Sequence, residues 1–372
     1  MKKSINFAVI GAGGFAYFAV TEFVKIPGVK LVGVYDEIKD NALRLKGIDV
    51  TAIVYNSLEE LYTEPSINLV YIATPPYLHY SQSRMALRAG KHVICEKPAA
   101  ITLSHAIELR ELAEQKNLLF VVNLMQRYNF LYGAVKQLIE QNILGSFLHG
   151  FFENYASDEF LPEQHWFWDE EKSGSIFIEH GVHFFDMFSG WLGEGKVIAA
   201  QKMNRPHYQN VWDKAHATVL YANGLVNFYH GFDQPKVMDR QEMRLQFEKG
   251  EITLYEWVPT HLKMTALCTE AELQILKLIF PKAEVELMES NEKLNVTRGR
   301  FKEIKFHCKL KLTTSDTVQK QTLYKELVTE MFKDQLAWIN DKTHLRKIDQ
   351  NNAVNSLKSA EEAELLAVKL YV

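Results

Sequence analysis

Ile5-Asn6-Phe7-Ala8-Val9-Ile10-Gly11-Ala12-Gly13-Gly14-Phe15-Ala16 is the stretch that decides the fold. A mostly apolar run of six residues reads as a strand covered on both faces. It runs directly into the pattern G-x-G-x-x-[GA]. Gly11 makes a tight turn, Gly13 lets the backbone approach a pyrophosphate, and the small Ala16 lets the following helix pack on the strand. The helix read over Phe15–Lys25 would then face phosphates with its N-terminus. Asp36 closes a second apolar run 20 residues after Ala16, where an acid can bind a ribose 2′-hydroxyl. Gly11, Gly13, Gly14, Phe15, Ala16 and Asp36 are therefore expected to hold a nicotinamide dinucleotide. A carboxylate at Asp36 repels a 2′-phosphate, so NAD is expected, with NADP possible because Arg44 can reach the site.

Outward from this stretch, strand and helix patterns alternate. Lys30–Tyr35 and Leu69–Ala73 read as strands, and Tyr80–Ala89 as a helix stopped by Gly90. Ser104–Gln115 is a further helix and Leu118–Asn123 a further strand. This is a doubly wound, mostly parallel sheet. After Asn123 the pattern changes. Phe130–Gln141 reads as an amphipathic helix. Ala215–Tyr221 and Val226–Phe232 flank Asn223-Gly224, a hairpin signal. Ile304, Phe306, Cys308, Leu310 and Leu312 alternate with polar residues, as a strand buried on one face does. Leu323–Ile339 and Asn352–Leu370 read as closing helices. Residues 258–303 are the hardest to place and read as an insertion. The fold class expected is α/β plus α+β. Residues 1–125 would form a Rossmann domain. Residues 126–372 would form a substrate-binding and oligomerisation domain on a large, predominantly antiparallel sheet, with the last helix returning to the first domain.

The chain has 372 residues, 47% of them hydrophobic, and a formal net charge of −4. That balance gives no general pull toward nucleic acid or an anionic membrane. Met1-Lys2-Lys3 and the apolar stretch behind it imitate a signal peptide, but Gly11, Gly13 and Gly14 interrupt it. Cys95, Cys268 and Cys308 are odd in number and far apart, which excludes a disulfide framework and suits a reducing cytoplasm.

Chemistry concentrates in two places. Val93-Ile94-Cys95-Glu96-Lys97-Pro98 is a buried strand ending in a charged pair, at the edge where open α/β sheets bind ligands. Read blandly, Lys97 is a surface lysine paired with Glu96. At a strand end it can instead hydrogen-bond a reacting oxygen and stabilise an alkoxide as it forms. The second place is Glu179-His180-Gly181-Val182-His183-Phe184-Phe185-Asp186. Glu179 and His183 share one face if the segment is helical. Glu179, His183 and Asp186 could hold zinc or manganese, but a nicotinamide enzyme with Lys97 needs no Lewis acid, so no metal is expected. His165-Trp166-Phe167-Trp168 is either core packing or an apolar platform for a sugar. Thr74-Pro75-Pro76-Tyr77-Leu78-His79 reads as a rigid loop against the cofactor.

These motifs, in this order, resemble the Gfo/Idh/MocA family of glucose–fructose oxidoreductase, inositol dehydrogenase and their relatives. The resemblance rests on Gly11 to Ala16, Asp36, Ala73 to His79, Ala89 to Val93, Glu96-Lys97-Pro98, Gln126-Arg127-Tyr128 and Gly181 to Asp186. It implies that Lys97 and His183 are catalytic, with Glu179 where many members carry aspartate. It places Thr74, Pro75, His79, Glu96, Lys97 and Gln126 about the cofactor. Lys97, Arg127, Tyr128, Tyr155, Trp166, Trp168, Glu179 and His183 would meet the substrate. Ser173-Gly174-Ser175 departs from the glycine run common before this motif. The activity implied is NAD(P)-dependent dehydrogenation of a hydroxyl carbon in a sugar, polyol or derivative, by a cytoplasmic homodimer or homotetramer. Redox-assisted glycosidase or lyase chemistry and a cofactor-bound ligand sensor stay open as alternatives.

Overall fold

The computed structural model describes residues 4–299, 302–315 and 318–372. They fall into two compact units. The first comprises Met1–Tyr128, Glu163–Asp186 and Lys325–Glu364, and the second Asn129–Pro162, Met187–Tyr324 and Leu365–Val372. Both units are discontinuous in sequence.

The first unit is built on six parallel strands in the order β3-β2-β1-β4-β5-β6. These are β1 (Ile5–Ile10), β2 (Val29–Tyr35), β3 (Ile53–Val54), β4 (Leu69–Ile72), β5 (His92–Cys95) and β6 (Phe120–Val122), joined by α1 (Gly14–Phe23), α2 (Lys39–Lys46), α3 (Leu58–Thr63), α4 (Pro76–Arg88) and α5 (Leu103–Lys116). The strand order reverses between β1 and β4, which opens the crevice where such sheets bind ligands. Every residue of β4 is buried, as helices on both faces require. Helix α4 starts four residues earlier than the hydrophobic period suggests, because Pro76 fixes a helical φ at its first turn. Elements α2, β3 and α3 are short, and no period in residues 39–63 announces them.

After a 3₁₀ turn (Met125–Tyr128) come α6 (Phe130–Glu140), β7 (Phe147–Tyr155), α7 (Glu170–Ser173), a π-turn (Phe177–Gly181) and α8 (Val182–Leu192). Strands β8 (Lys196–Arg205), β9 (Tyr208–Tyr221), β10 (Gly224–Gly231), β11 (Arg240–Phe247), β12 (Gly250–Tyr255) and β13 (His261–Cys268) follow, then α9 (Glu270–Ile279), β14 (Glu284–Gly299) and β15 (Lys302–Thr313). The chain closes with α10 (Lys320–Asn340), α11 (Gln350–Leu366) and β16 (Ala367–Leu370). Phe332 of α10 stacks on Phe23 at 3.8 Å and meets Phe7 of β1 at 5.9 Å, so part of α10 belongs to the core of the first unit.

The second unit is built on a ten-stranded sheet in the order β14-β15-β13-β12-β11-β7-β10-β9-β8-β16. Two of its pairings are parallel, β7 with β10 and β8 with β16. The others are antiparallel. Strand β15 buries Ile304, Phe306, Cys308, Leu310 and Leu312 as its alternation requires.

Three expectations are corrected. Residues 258–303 are not an insertion: they supply β13, α9 and β14, and β13 lies inside the sheet between β12 and β15. Strand β14 is an edge exposed almost throughout, so it needs no apolar period. The last helix ends at Leu366, because residues 367–370 pair with β8. In the hairpin Tyr221 pairs with Gly224, which leaves Ala222-Asn223 as the turn. Gly224 is demanded by its neighbour instead, since a Cβ there would lie 2.1 Å from the Leu148 carbonyl oxygen.

Candidate active site

The carboxyl edge of the parallel sheet gathers most of the residues singled out above. Gly11 has φ +85°, and a Cβ there would lie 2.7 Å from the Ala73–Thr74 backbone at the end of β4. No L side chain fits. A Cβ on Gly13 or Gly14 would meet nothing within 4 Å, and the first turn of α1 carries no carboxylate. An open glycine cradle before an uncompensated helix N-terminus suits a pyrophosphate. Asp36 directly follows β2 and accepts hydrogen bonds from the backbone N–H of Ala12 at 2.6 Å and of Ile38 at 2.7 Å. Arg44 donates to the Ala12 carbonyl at 3.1 Å and lies over the Tyr17 ring. Acid and guanidinium thus grip the same peptide segment.

His79 joins two loops of that edge. Its Nδ1 lies 2.6 Å from the Pro98 carbonyl and its Nε2 2.7 Å from the Thr74 carbonyl. Burial lowers its pKa, and a neutral imidazole donates to one carbonyl at a time. Thr74 itself donates to Gln82 at 2.6 Å. Pro75 caps α4, and Gln126 is buried in the 3₁₀ turn after β6.

Glu96 is held by the Tyr71 hydroxyl at 2.5 Å and the Asn123 amide at 2.9 Å. Desolvation pushes its carboxyl up to about 7, against those hydrogen bonds and the charge of Lys97. Glu96 is therefore not the salt-bridge partner of Lys97. Lys97 Nζ donates to the Glu179 carboxylate, and to the Glu179 carbonyl at 3.0 Å. Glu179 sits in the π-turn, buried with only 7% exposure. Such turns re-aim side chains inside helices and recur at functional sites. His183 opens α8 just beyond. Burial first, and the charge of Lys97 second, lower its imidazole to about 3. It is neutral throughout the neutral range.

Arg127, a substrate contact by the sequence reading, is bound to Asp186. Its Nε and Nη2 bind the Asp186 carboxylate at 2.7 and 2.9 Å, and Nη2 also reaches the Asp186 carbonyl at 3.0 Å. Asp186 is 2% exposed and lies three residues beyond His183. The pair therefore ties the helix that carries His183 to the turn after β6. Tyr128 is likewise committed: its hydroxyl donates to Asp334 at 2.5 Å. Trp166 and Trp168 belong to a run of edge-on rings with Phe167, and Trp168 is 4% exposed. Tyr155 belongs to the second unit, where Arg240 lies over its ring at 4.8 Å and Tyr229 packs at 5.2 Å. Sequence reading missed Asn123, Tyr71 and the Arg127–Asp186 pairing. The only signal for the pairing was the presence of both residues in motifs already noted. Among the described residues no group of three or more His, Cys, Asp or Glu is placed to hold a metal ion, and no helix is long and apolar enough to cross a membrane.

Two family models match the chain: the oxidoreductase family with an NAD-binding Rossmann fold over residues 5–124, and the GFO/IDH/MocA C-terminal domain over residues 132–253. The chain belongs to the Gfo/Idh/MocA family of nicotinamide-dependent oxidoreductases. It is 31% identical over 212 residues to an uncharacterised oxidoreductase of Synechocystis sp., covering 54% of this chain and 55% of that one. It is 28% identical to the NADP(+) scyllo-inositol 2-dehydrogenase of Bacillus subtilis, covering 48% and 50%. The chain spans about half the length of the curated relatives it matches. A solved 3-ketoreductase from Actinomadura kijaniata, in complex with NADP and TDP-benzene, shares the fold with a TM-score of 0.74 over 100% of both chains, at 14% identity.

Proposed function

We propose that this protein is an NAD-dependent dehydrogenase acting on a hydroxyl carbon of a sugar, polyol or derivative. The observation that carries the reading is Lys97, held by Glu179 at the carboxyl edge of a nucleotide-binding sheet, with the neutral His183 four residues further along. Gly11, Gly13, Gly14, Phe15, Ala16, Asp36, Thr74 and Pro75 would hold the cofactor, which supplies a hydride acceptor when bound. The Asp36 carboxylate favours NAD over a 2′-phosphorylated dinucleotide.

The residues divide the remaining work. His183 is neutral and can accept the hydroxyl proton of the substrate. The Lys97 ammonium donates to the same oxygen and stabilises its developing negative charge. Glu179 fixes the ammonium through carboxylate and carbonyl, which leaves one N–H for the substrate. Arg127 acts through Asp186, holding α8 and with it His183, so it is a positioning residue. A hydroxyl rather than another substrate group is supported by this pairing of a proton acceptor with an oxygen-stabilising cation.

Absorbance at 340 nm during a screen of sugars, inositols and other polyols tests the reading. Net NADH formation is expected. Product without net NADH would replace the reading with a cyclic redox reaction, and binding without product with a sensor. We also propose a homodimer or homotetramer formed through the face of the ten-stranded sheet on which Lys305, Lys309 and Lys311 of β15 are exposed. Light scattering that finds only a monomer at micromolar concentration would overturn it. Three free, buried cysteines suit a cytoplasmic location.

A further inference from the structure

We infer that Asp334 is a positioning residue for His183, acting through a closed hydrogen-bonded circuit that holds the start of α8. The inference rests on the reading above for the work of His183, and it extends that work to a residue outside every motif of the sequence. The circuit begins at the buried Asp186, three residues beyond His183. Arg127 grips its carboxylate with two donors. Tyr128, the next residue of the same 3₁₀ turn, donates its hydroxyl to Asp334 Oδ2 at 2.5 Å. The Lys347 N–H donates to the same oxygen at 2.9 Å, and His344 Nε2 lies 2.6 Å from Oδ1. Two residues on, the Asp349 N–H donates to Asn352 Oδ1 at 2.9 Å. The Asn352 side chain hydrogen-bonds Asp186, which closes the ring. Asp334 thus reaches Asp186 by two routes, the turn after β6 and the connection from α10 to α11.

The physical reason lies in the Arg127–Asp186 pair. A two-donor contact between arginine and carboxylate is specific in geometry. The side chains of this pair are 15% and 2% exposed, so water has little access to replace a lost contact. A group that fixes Tyr128 therefore also fixes the guanidinium one residue before it. The buried Gln335 backs the same hydroxyl, its Nε2 donating to Tyr128 Oη and to the Ile348 carbonyl, each at 3.2 Å. Asp334 itself sits inside α10, where aspartate is a poor helix former. Its carboxylate is mostly desolvated and gathers partners from two distant segments. Its place is explained by what it joins and not by the helix that carries it.

Asp334→Ala and Tyr128→Phe in the full chain test this with two readouts. The first is the NMR titration of the His183 imidazole, assigned with His183→Asn. In the parent its ring signals should stay fixed from about pH 8 to about pH 5, because burial holds the ring neutral. In both variants the start of α8 loosens and water reaches the ring. Its signals should then move within that range, with a midpoint closer to the ordinary value of about 6.5. The second readout is steady-state kinetics on the best polyol, below the unfolding transition. The kcat should fall about ten- to hundredfold, as it does when a catalytic group is misplaced, with KM and NAD affinity nearly unchanged. A raised KM at constant kcat in Tyr128→Phe would put that hydroxyl on the substrate and overturn the inference. A lower unfolding midpoint with kcat and His183 titration as in the parent would also overturn it, since a purely structural knot behaves that way. Should Asp334→Ala fail to fold, Tyr128→Phe, which keeps the ring, decides. If the parent oxidises no polyol, the dehydrogenase reading fails, and the His183 titration still decides whether Asp334 holds that imidazole in place.

Discussion

The two sheets of this molecule place polar groups by opposite rules. In the six-stranded parallel sheet the strands are short and nearly all apolar, and the side chains with chemistry sit at one edge: Gly11, Asp36, Thr74, Glu96 and Asn123 each follow or end a strand. In the ten-stranded sheet, buried and more exposed residues alternate along strands such as β11, β13 and β15. Strand β11 buries Gln241, Met243, Leu245 and Phe247 and turns Arg240, Glu242, Arg244 and Gln246 to the other face. A parallel sheet covered on both faces leaves its ends as the place for polar side chains, whereas an antiparallel sheet can afford a polar face. The functional consequence is that position in a strand reads as chemistry in the first sheet and as burial in the second.

The largest expected effect sharpens that contrast. Lys97→Ala and His183→Ala should each lower turnover about 10²–10⁴-fold, the usual contribution of acid–base groups, with folding and NAD binding retained. Steady-state rates on the best polyol, with circular dichroism as control, measure this. Near-normal turnover in His183→Ala would move the proton acceptor to another group. A comparable change to the open face of the other sheet, Lys309→Ala, should leave turnover unaltered.

Core truncation should be severe in both sheets. Phe332→Ala in the first unit and Phe152→Ala in the second each remove a ring with 0% exposure. Each should cost about 3–5 kcal/mol, read as a lower urea midpoint at constant slope. Arg127→Leu should be similarly costly, because it leaves Asp186 buried without its cation. Arg127→Lys should keep the fold while altering the pH–rate profile through a displaced His183. A substrate-contacting Arg127 would instead raise KM with little loss of stability.

Acid should destabilise both units through buried imidazoles. His183 and His230 both have folded pKa values of about 3, with burial as the main cause. Below its ordinary pKa of about 6.5 the unfolded imidazole binds a proton that the folded one refuses. Stability is therefore fully present above that value and falls as pH drops toward 3, by at most ~1.4 kcal/mol per pH unit per imidazole. Unfolding midpoints measured from pH 7 to pH 4 should fall, and the slope should flatten in His183→Asn and in His230→Phe. A slope unchanged in both variants would show that carboxylates set the acid response.

The smallest expected effect concerns the dinucleotide. The parent should bind NAD about tenfold or more tightly than NADP, ~1.4 kcal/mol, and Asp36→Ser should narrow the gap. Equal affinities in the parent would show that Arg44, anchored on the Ala12 carbonyl, accommodates the 2′-phosphate.

What the sequence by itself determined is the local part of this protein. The turn at Gly11, the strand leading to Lys97, the alternation of β15 and the family membership are written in contiguous residues, because glycine geometry and the period of burial act over a few positions. Only the tertiary structure decided which side chains meet. Lys97 pairs with Glu179 rather than with adjacent Glu96, which Tyr71 and Asn123 occupy. Arg127 meets Asp186, 59 residues away. Phe332 joins a core begun by Phe7, and β13 takes an interior place in a sheet from a segment read as an insertion. Burial sets the titration of Glu96 and His183, and no sequence spacing encodes it. Such contacts depend on where distant elements are brought together, and the loop closure that brings them there costs free energy that grows only slowly with separation, so sequence distance carries little information about partners.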